Sequence, residues 1–192
     1  MTTRFTGAAT FSTRRLAVAL VGAIALLAAA ASSSRAADAA TPSALKAAFL
    51  FNFAKFADWS GVQPGVTLVL CVANDDQIGA ALADSVRGQA INGHALEVRR
   101  LHSDNSLSEC HLLFVPASDA RQTLAKINKA AEPMLTVSDA PGFAQSGGMI
   151  ELFQESGRMR FAVNVDTAQR AGVRLSSRLL DLAKIVRTDH GK

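Results

Sequence analysis

The sequence predicts an α/β fold: a mostly parallel sheet flanked by helices, Rossmann-like in arrangement, with an antiparallel hairpin near the C-terminus. Between residues 66 and 137, short continuous apolar runs alternate with helical segments. Such runs are typical of strands buried on both faces, and their alternation with helices favours parallel pairing. Beyond Gly147 and Gly148, two strand-like segments flank a turn at residues 155–158, which is typical of a hairpin.

The first segment of the chain is typical of a secretory signal peptide. Arg4, Arg14 and Arg15 supply positive charge, and residues 16–31 form an apolar run followed by small residues suited to cleavage. The alternative is a membrane anchor, but this run is shorter than the ~20 apolar residues of a spanning helix. We expect a signal peptide at 1–36, a flexible leader at 37–42 and one soluble domain at 43–188, not membrane-inserted after cleavage.

The charge balance argues against nucleic acid as a partner. The whole sequence carries 20 Lys and Arg against 16 Asp and Glu, a formal net charge of +4. Removal of the signal peptide takes away Arg4, Arg14, Arg15 and Arg35 but no acidic residue, so the exported chain is neutral overall. Nucleic-acid binding needs a basic surface, and we therefore exclude that class of partner.

The first predicted element of the domain is a helix with Ser43 as its N-cap, ending near residues 59–61. One stripe of this helix is apolar at helical spacing, and we expect it to face the core. The stripe consists of Leu45, Phe49, Phe53 and Phe56. Phe51 projects between Lys55 and Asp58 on the charged side, where it is either covered by a loop or exposed to a partner.

The parallel part of the sheet is predicted from three apolar runs and one further strand. The apolar runs lie at residues 66–73, 110–115 and 134–137. The further strand, at residues 96–101, follows an Asn-Gly turn at residues 92–93. Helices are predicted at about residues 77–86 and from Ser118 or Asp119 onward, the latter with Leu124 and Ile127 facing the core.

The C-terminal part is predicted as a hairpin, a helical turn and a last helix. The hairpin strands are residues 149–153 and 159–164. Arg158 and Arg160 alternate with apolar residues, so both point to one face of the sheet. The last helix is predicted to have Ser176 or Ser177 as its cap and Leu179, Leu182, Ala183 and Val186 inside.

Two cysteines, Cys71 and Cys110, leave three alternatives open. An exported chain meets an oxidising environment, which favours a disulfide between them. Two buried free thiols are the second alternative. The third is a metal site with His111, for which neither CxxC nor HxxxH spacing is present.

The sequence predicts no catalytic residue, cofactor or metal site. The four histidines have no ligand spacing, and no serine lies in a G-x-S-x-G elbow. Asn74 and Asp75 follow a buried strand, the position of ligand-binding loops in such sheets, but the segment has neither GxGxxG nor GxxxxGK[ST]. Their position after the strand, and not a motif, makes these two residues candidates for binding a small ligand.

Several spaced blocks resemble the YfiR-like family of periplasmic proteins. The blocks are residues 45–56 (LKAAFLFNFAKF), 135–139 (LTVSD), 142–144 (GFA), 147–150 (GGMI), 158–161 (RMRF) and 171–177 (AGVRLSS). The similarity covers essentially the whole exported chain. Two departures are Phe51, where the family pattern has Tyr, and Ser60, where Pro is common after the Trp.

The resemblance implies a non-enzymatic regulator in the periplasm of a Gram-negative-type cell. The best-understood member binds the periplasmic sensor domain of an inner-membrane diguanylate cyclase and restrains cyclic-di-GMP synthesis. A homodimer, redox-dependent disulfides and an outer-membrane lipoprotein partner are further implied by the resemblance. The candidate contacts to a partner are Phe51, Met149, Leu152, Phe153, Arg158, Arg160 and Arg174.

A competing hypothesis is a periplasmic small-molecule receptor. In that case a ligand would bind at the strand ends near residues 74–78, and the protein would act on a membrane kinase or transporter. Binding of a periplasmic metabolite would favour the receptor over the cyclase regulator.

Overall fold

The computed structural model describes residues 41–102, 106–127 and 133–187. The predicted signal peptide and residues 37–40 of the predicted leader lie outside these ranges. The helices are α1 Pro42–Phe56, α2 Asp76–Val86, α3 Ala120–Ile127, α4 Val165–Arg170 and α5 Ser177–Leu180. The strands are β1 Leu68–Ala73, β2 Ala90–Ile91, β3 His94–Leu101, β4 Leu112–Val115, β5 Leu135–Ser138, β6 Ile150–Glu155, β7 Arg158–Asn164 and β8 Lys184–Val186.

The strands form one eight-stranded sheet in the order β2-β3-β1-β4-β5-β6-β7-β8. Pairing is parallel from β3 through β1, β4 and β5 to β6, and again between β7 and β8. The β2–β3 and β6–β7 pairs are antiparallel. The predicted α/β class, the mostly parallel sheet and the C-terminal hairpin are thereby confirmed.

Strand β1 is buried on both faces, which explains its continuous apolar sequence. Leu68, Leu70 and Val72 belong to the large core cluster that contains the buried residues of α1 and α2. Val69 and Cys71 point to the opposite face and belong to a second cluster, which includes residues of β4. The core therefore has two layers, one on each side of the sheet.

Helix α1 begins earlier and buries a different stripe than predicted. The prediction of Ser43 as N-cap is wrong, because the Thr41 side chain accepts the hydrogen bond from the backbone N of Ala44 at 3.1 Å. The residues of α1 that are fully buried are Ala47, Leu50, Phe53 and Ala54. Of the predicted stripe, only Phe53 belongs to that set. The small alanines let the helix approach the sheet closely, and the large Phe49 and Phe56 side chains pack at the flanks.

The prediction of a long last helix is wrong. Ser176 is the N-cap as predicted, but α5 ends at Leu180, and Leu182 is 69% exposed. Residues Lys184–Val186 instead form β8, parallel to β7. Pairing with β8 satisfies backbone groups on the outer edge of β7, an edge that an additional helical turn would leave open.

Candidate functional site

The crevice at the carboxyl end of β1 contains the two candidate ligand-binding residues. Asn74 has a positive φ of 46°, and its Nδ2 donates to Oδ2 of Asp119 at 2.6 Å. Oδ1 of Asp75 accepts from the backbone N of Ile78 at 2.9 Å and caps α2. The adjacent cavity, partly lined by His102, has about 140 Å³. This volume is below the roughly 300–1,000 Å³ of usual small-molecule sites, so the crevice suits only a very small ligand.

A second polar cluster joins α1 to the carboxyl ends of β4 and β5. Lys46 of α1 forms an ion pair with Oδ2 of Asp139, and both side chains are 22% exposed. Oδ1 of Asp139 accepts from the backbone N of Ala117 at 2.8 Å. Asp139 follows β5 and Ala117 follows β4, so one carboxylate connects two strand ends and a helix. Sequence reasoning missed this cluster because it depends on the strand order.

The 139–148 loop, which follows β5, is held by buried polar side chains. Glu151 is 8% exposed, and its carboxylate accepts from the backbone N of Gly142 at 3.1 Å and of Ala144 at 3.2 Å. Nδ2 of the fully buried Asn164 donates to the carbonyl of Ala144 at 2.7 Å. The two bonds to the Glu151 carboxylate are charge-assisted and therefore stronger than neutral ones, so the loop has a well-defined conformation.

The hairpin presents a basic surface with one aromatic ring. Cross-strand partners point to the same face of a sheet. Phe153 pairs with Arg160, and Glu155 pairs with Arg158. Ala162 lies two residues after Arg160 and therefore points to the same face, and it pairs with Lys184 of β8. We call this surface the hairpin face; it consists of Phe153, Glu155, Arg158, Arg160 and Lys184. The three cations and Glu155 are exposed, whereas Phe153 is half-buried.

Two of the candidate partner contacts near the hairpin are buried in the core. Met149 and Leu152 are each 2% exposed and belong to the large core cluster. Leu152 pairs with Phe161, whose ring packs against those of Phe49 and Phe53 of α1. A partner cannot contact Met149 or Leu152 directly in this conformation, and the candidate surface on the hairpin retains Phe153, Arg158 and Arg160.

Phe51 and Arg174 lie apart from the hairpin face. Phe51 packs against the core cluster on the α1 side of the sheet, and Nζ of Lys55 lies 5.4 Å from its ring centroid. Arg174 is exposed, and its Nη2 lies 2.9 Å from Asp58 Oδ2 and 2.9 Å from Ser60 Oγ. Hydrogen bonds from Ser60, followed by the charge of Arg174, lower the pKa of Asp58. The seven candidate contacts therefore do not form one continuous surface.

Cys71 and Cys110 form a disulfide, which decides among the three alternatives. Their Cα atoms are 5.7 Å apart, and both residues are buried. Cys71 lies in β1, and Cys110 lies two residues before the neighbouring strand β4. The bond joins adjacent strands on the face opposite α1 and closes the connection that contains β3. This arrangement is stable in an oxidising compartment.

His111, beside the disulfide, is a half-buried hydrogen-bond acceptor. Its Nδ1 accepts from the backbone N of Val69 at 3.1 Å, and its ring lies edge-on to Trp59 at 6.0 Å. Burial lowers the pKa of His111 below its ordinary value of about 6.5. A hydrogen bond with the backbone of Glu109 opposes this shift in part, and the charge of His94 adds to it. A protonated Nδ1 cannot accept this bond.

Because the pKa of His111 is lowered in the folded state, we expect the free energy of unfolding to decrease as the pH falls below about 6.5. The unfolded chain then binds a proton at this histidine that the folded state disfavours. Denaturant unfolding at pH 7.5 and pH 5.5 measures this change. The control is His111→Asn, whose side-chain oxygen can accept from Val69 without titrating. An equal loss in the variant and the parent would show that His111 is not responsible.

Neither a metal-binding cluster nor a membrane-spanning helix is found within residues 41–102, 106–127 and 133–187. No group of three or more His, Cys, Asp or Glu there is placed to hold a metal ion. None of the helices in the same ranges has the length and apolar character needed to cross a bilayer. The described residues form an α/β domain with a basic hairpin face and a 139–148 loop that is held by Glu151 and Asn164.

Comparison with known sequences identifies the family. A search of curated proteins gave no match. The sequence profile of the YfiR/HmsC-like family matches residues 43–184, which is more than half of the chain. The matched range runs from the first turn of α1 to the start of β8 and includes the disulfide and the Lys46–Asp139 pair. The chain therefore belongs to the YfiR/HmsC-like family.

Proposed function

We propose that this chain is a periplasmic regulatory protein that inhibits an inner-membrane diguanylate cyclase by binding its periplasmic sensor domain, and so lowers cyclic-di-GMP. Membership of the YfiR/HmsC-like family is the observation that carries this proposal. A buried disulfide is consistent with an exported protein. The proposal includes the homodimer and the outer-membrane lipoprotein partner implied by the family resemblance.

The hairpin face is the surface that we propose for contact with the cyclase. Arg158, Arg160 and Lys184 lie on the same face of the sheet as the half-buried ring of Phe153, with Glu155 as the acidic member. Aromatic and Arg side chains dominate binding energy at protein interfaces, and clustered cations speed association with an acidic partner. The structure thus favours an acidic segment of the sensor domain as the binding surface.

Inhibition of this kind needs no turnover by the regulator. A protein that binds the inactive arrangement of the cyclase more tightly than the active one shifts the population toward the inactive state. Moving that equilibrium from 1:99 to 99:1 requires an affinity ratio of about 10⁴. Specific contacts at a preorganised surface, such as a hairpin within a larger sheet, can supply this difference.

Deletion of the gene is expected to raise cellular cyclic-di-GMP, and expression of the parent chain is expected to restore the lower level. The double variant Arg158→Glu, Arg160→Glu should fail to restore it, because it replaces two cations of the hairpin face with acids. The measurement is cyclic-di-GMP by mass spectrometry, together with pull-down of the cyclase sensor domain.

A matched control is the double variant Arg87→Glu, Lys126→Glu, which reverses two exposed charges elsewhere. It should restore the lower level as the parent does. An unchanged cyclic-di-GMP level after deletion, with the cyclase expressed, contradicts the proposed function. Full restoration by the hairpin variant contradicts only the assigned surface.

A further inference from the structure

A cavity of about 470 Å³ lies between α3 and the 139–148 loop. Its lining includes Leu124 of α3 and Phe143 of the loop, and four alanines contribute to the remaining wall. The loops that border it follow the carboxyl ends of β4 and β5, the side of an α/β sheet where ligands bind. It is separate from the hairpin face and from the crevice at Asn74.

The size and shape of this cavity suit a small organic molecule. Its volume lies within the roughly 300–1,000 Å³ typical of small-molecule sites. Ala117, Ala120, Ala125 and Ala140 leave space that larger side chains would fill. Ala117 and Ala125 are exposed in this lining, and Leu124 and Phe143, which are 8% and 2% exposed, add a small apolar surface. Such a lining favours an apolar body for the ligand.

The wall formed by the 139–148 loop is fixed before any ligand arrives. Glu151 and Asn164 hold the backbone at Gly142 and Ala144, as described above. The Phe143 ring lies so close to Gly148 that no side chain fits between them. Preorganised walls lower the entropic cost of binding.

Arg121 is the charged residue of the lining. Its guanidinium belongs to an exposed side chain on the first turn of α3, and no ion pair joins it to another residue within 41–102, 106–127 and 133–187. A guanidinium binds carboxylates through paired hydrogen bonds. From the cavity, its apolar wall and this cation together, we infer that the cavity binds a small apolar carboxylate. This site goes beyond the proposed regulation of a cyclase and does not depend on it.

Octanoate and 2-naphthoate are suitable probes, one aliphatic and one aromatic. Isothermal titration calorimetry on the exported chain with its disulfide intact should detect binding of at least one of them. Octan-1-ol, which lacks the carboxylate, should bind at least tenfold more weakly than octanoate. Saturation with a bound probe should raise the melting temperature, because the ligand binds the folded state alone.

Two variants test the location of the site. Arg121→Gln should weaken carboxylate binding about tenfold and leave octan-1-ol binding unchanged. Ala125→Phe, at an exposed position, should abolish binding by filling the cavity without disturbing the core. Arg87→Gln, remote from the cavity, serves as the matched control and should bind as the parent does. Absence of binding by both probes, or equal binding by the parent and the two cavity variants, overturns the inference.

Discussion

Replacement of both cysteines, Cys71→Ala with Cys110→Ala, is expected to lower the free energy of unfolding by about 3 to 4 kcal/mol. The bridge closes a loop between residues 39 positions apart and restricts the unfolded chain. Alanine at both positions removes the bond without placing a hydroxyl in the core, where both side chains are buried. The measurement is denaturant unfolding, at neutral pH, of the chain from residue 37 onward.

The reductant provides the control for this prediction. Dithiothreitol should destabilise the parent to a similar extent and leave the double variant unchanged. The single variant Cys71→Ser should be less stable than the double alanine variant, because it places a hydroxyl in the core and leaves one free thiol. Identical curves for the parent with and without reductant would mean that the bond contributes nothing to stability.

Gly148→Ala is expected to destabilise the protein by roughly 2 to 3 kcal/mol, because there is no space for a methyl group. An added Cβ would lie 2.1 Å from Cε1 and 2.2 Å from Cδ1 of the Phe143 ring. Phe143 is itself 2% exposed and packs with Ala120, Leu124 and Ala140, so the ring cannot move away without losing these contacts. Thermal and denaturant unfolding measure the loss, and a weaker affinity for octanoate should accompany it if the cavity wall shifts.

Gly61→Ala is the matched control, since nothing lies within 4 Å of its added Cβ. That substitution should be neutral or slightly stabilising, by up to about 1 kcal/mol, through the unfolded state. A second test is the double variant Gly148→Ala, Phe143→Leu, in which the smaller side chain should recover part of the loss caused by the alanine. If Gly148→Ala is as stable as Gly61→Ala, the close approach of the ring to the backbone is not important.

The class of the fold could be predicted because the central strands are buried on both faces. The apolar runs of β1, β4 and β5 cannot be confused with amphipathic helices of the same length. The last element could not be predicted, because residues 179–186 have a helical period of apolar residues although the chain turns after α5. Residues 184–186 form β8 because the outer edge of β7 would otherwise have no strand partner, and this edge is a feature of the folded sheet.

The residues of the candidate site could be predicted only where the pattern of neighbouring residues in the sequence fixes the direction of a side chain. The alternation around Arg158 and Arg160 gives their common face correctly, since period two is a property of any strand. Lys46 and Asp139 are 93 residues apart, and nothing local connects them. Glu151 lies in an apolar strand and bonds to a loop, so its role requires the three-dimensional path of that loop.

The position of β1 within the sheet has a consequence for the order in which strands can pair along the chain. Strand β3 follows β2 in sequence but lies between β2 and β1, so this end of the sheet can form only after β3 has been made. On the other side of β1, β4 pairs with β1, and each strand from β5 to β8 adds next to the strand that precedes it in sequence. This part of the sheet can therefore grow in the direction of synthesis, without a later strand inserting between two earlier ones.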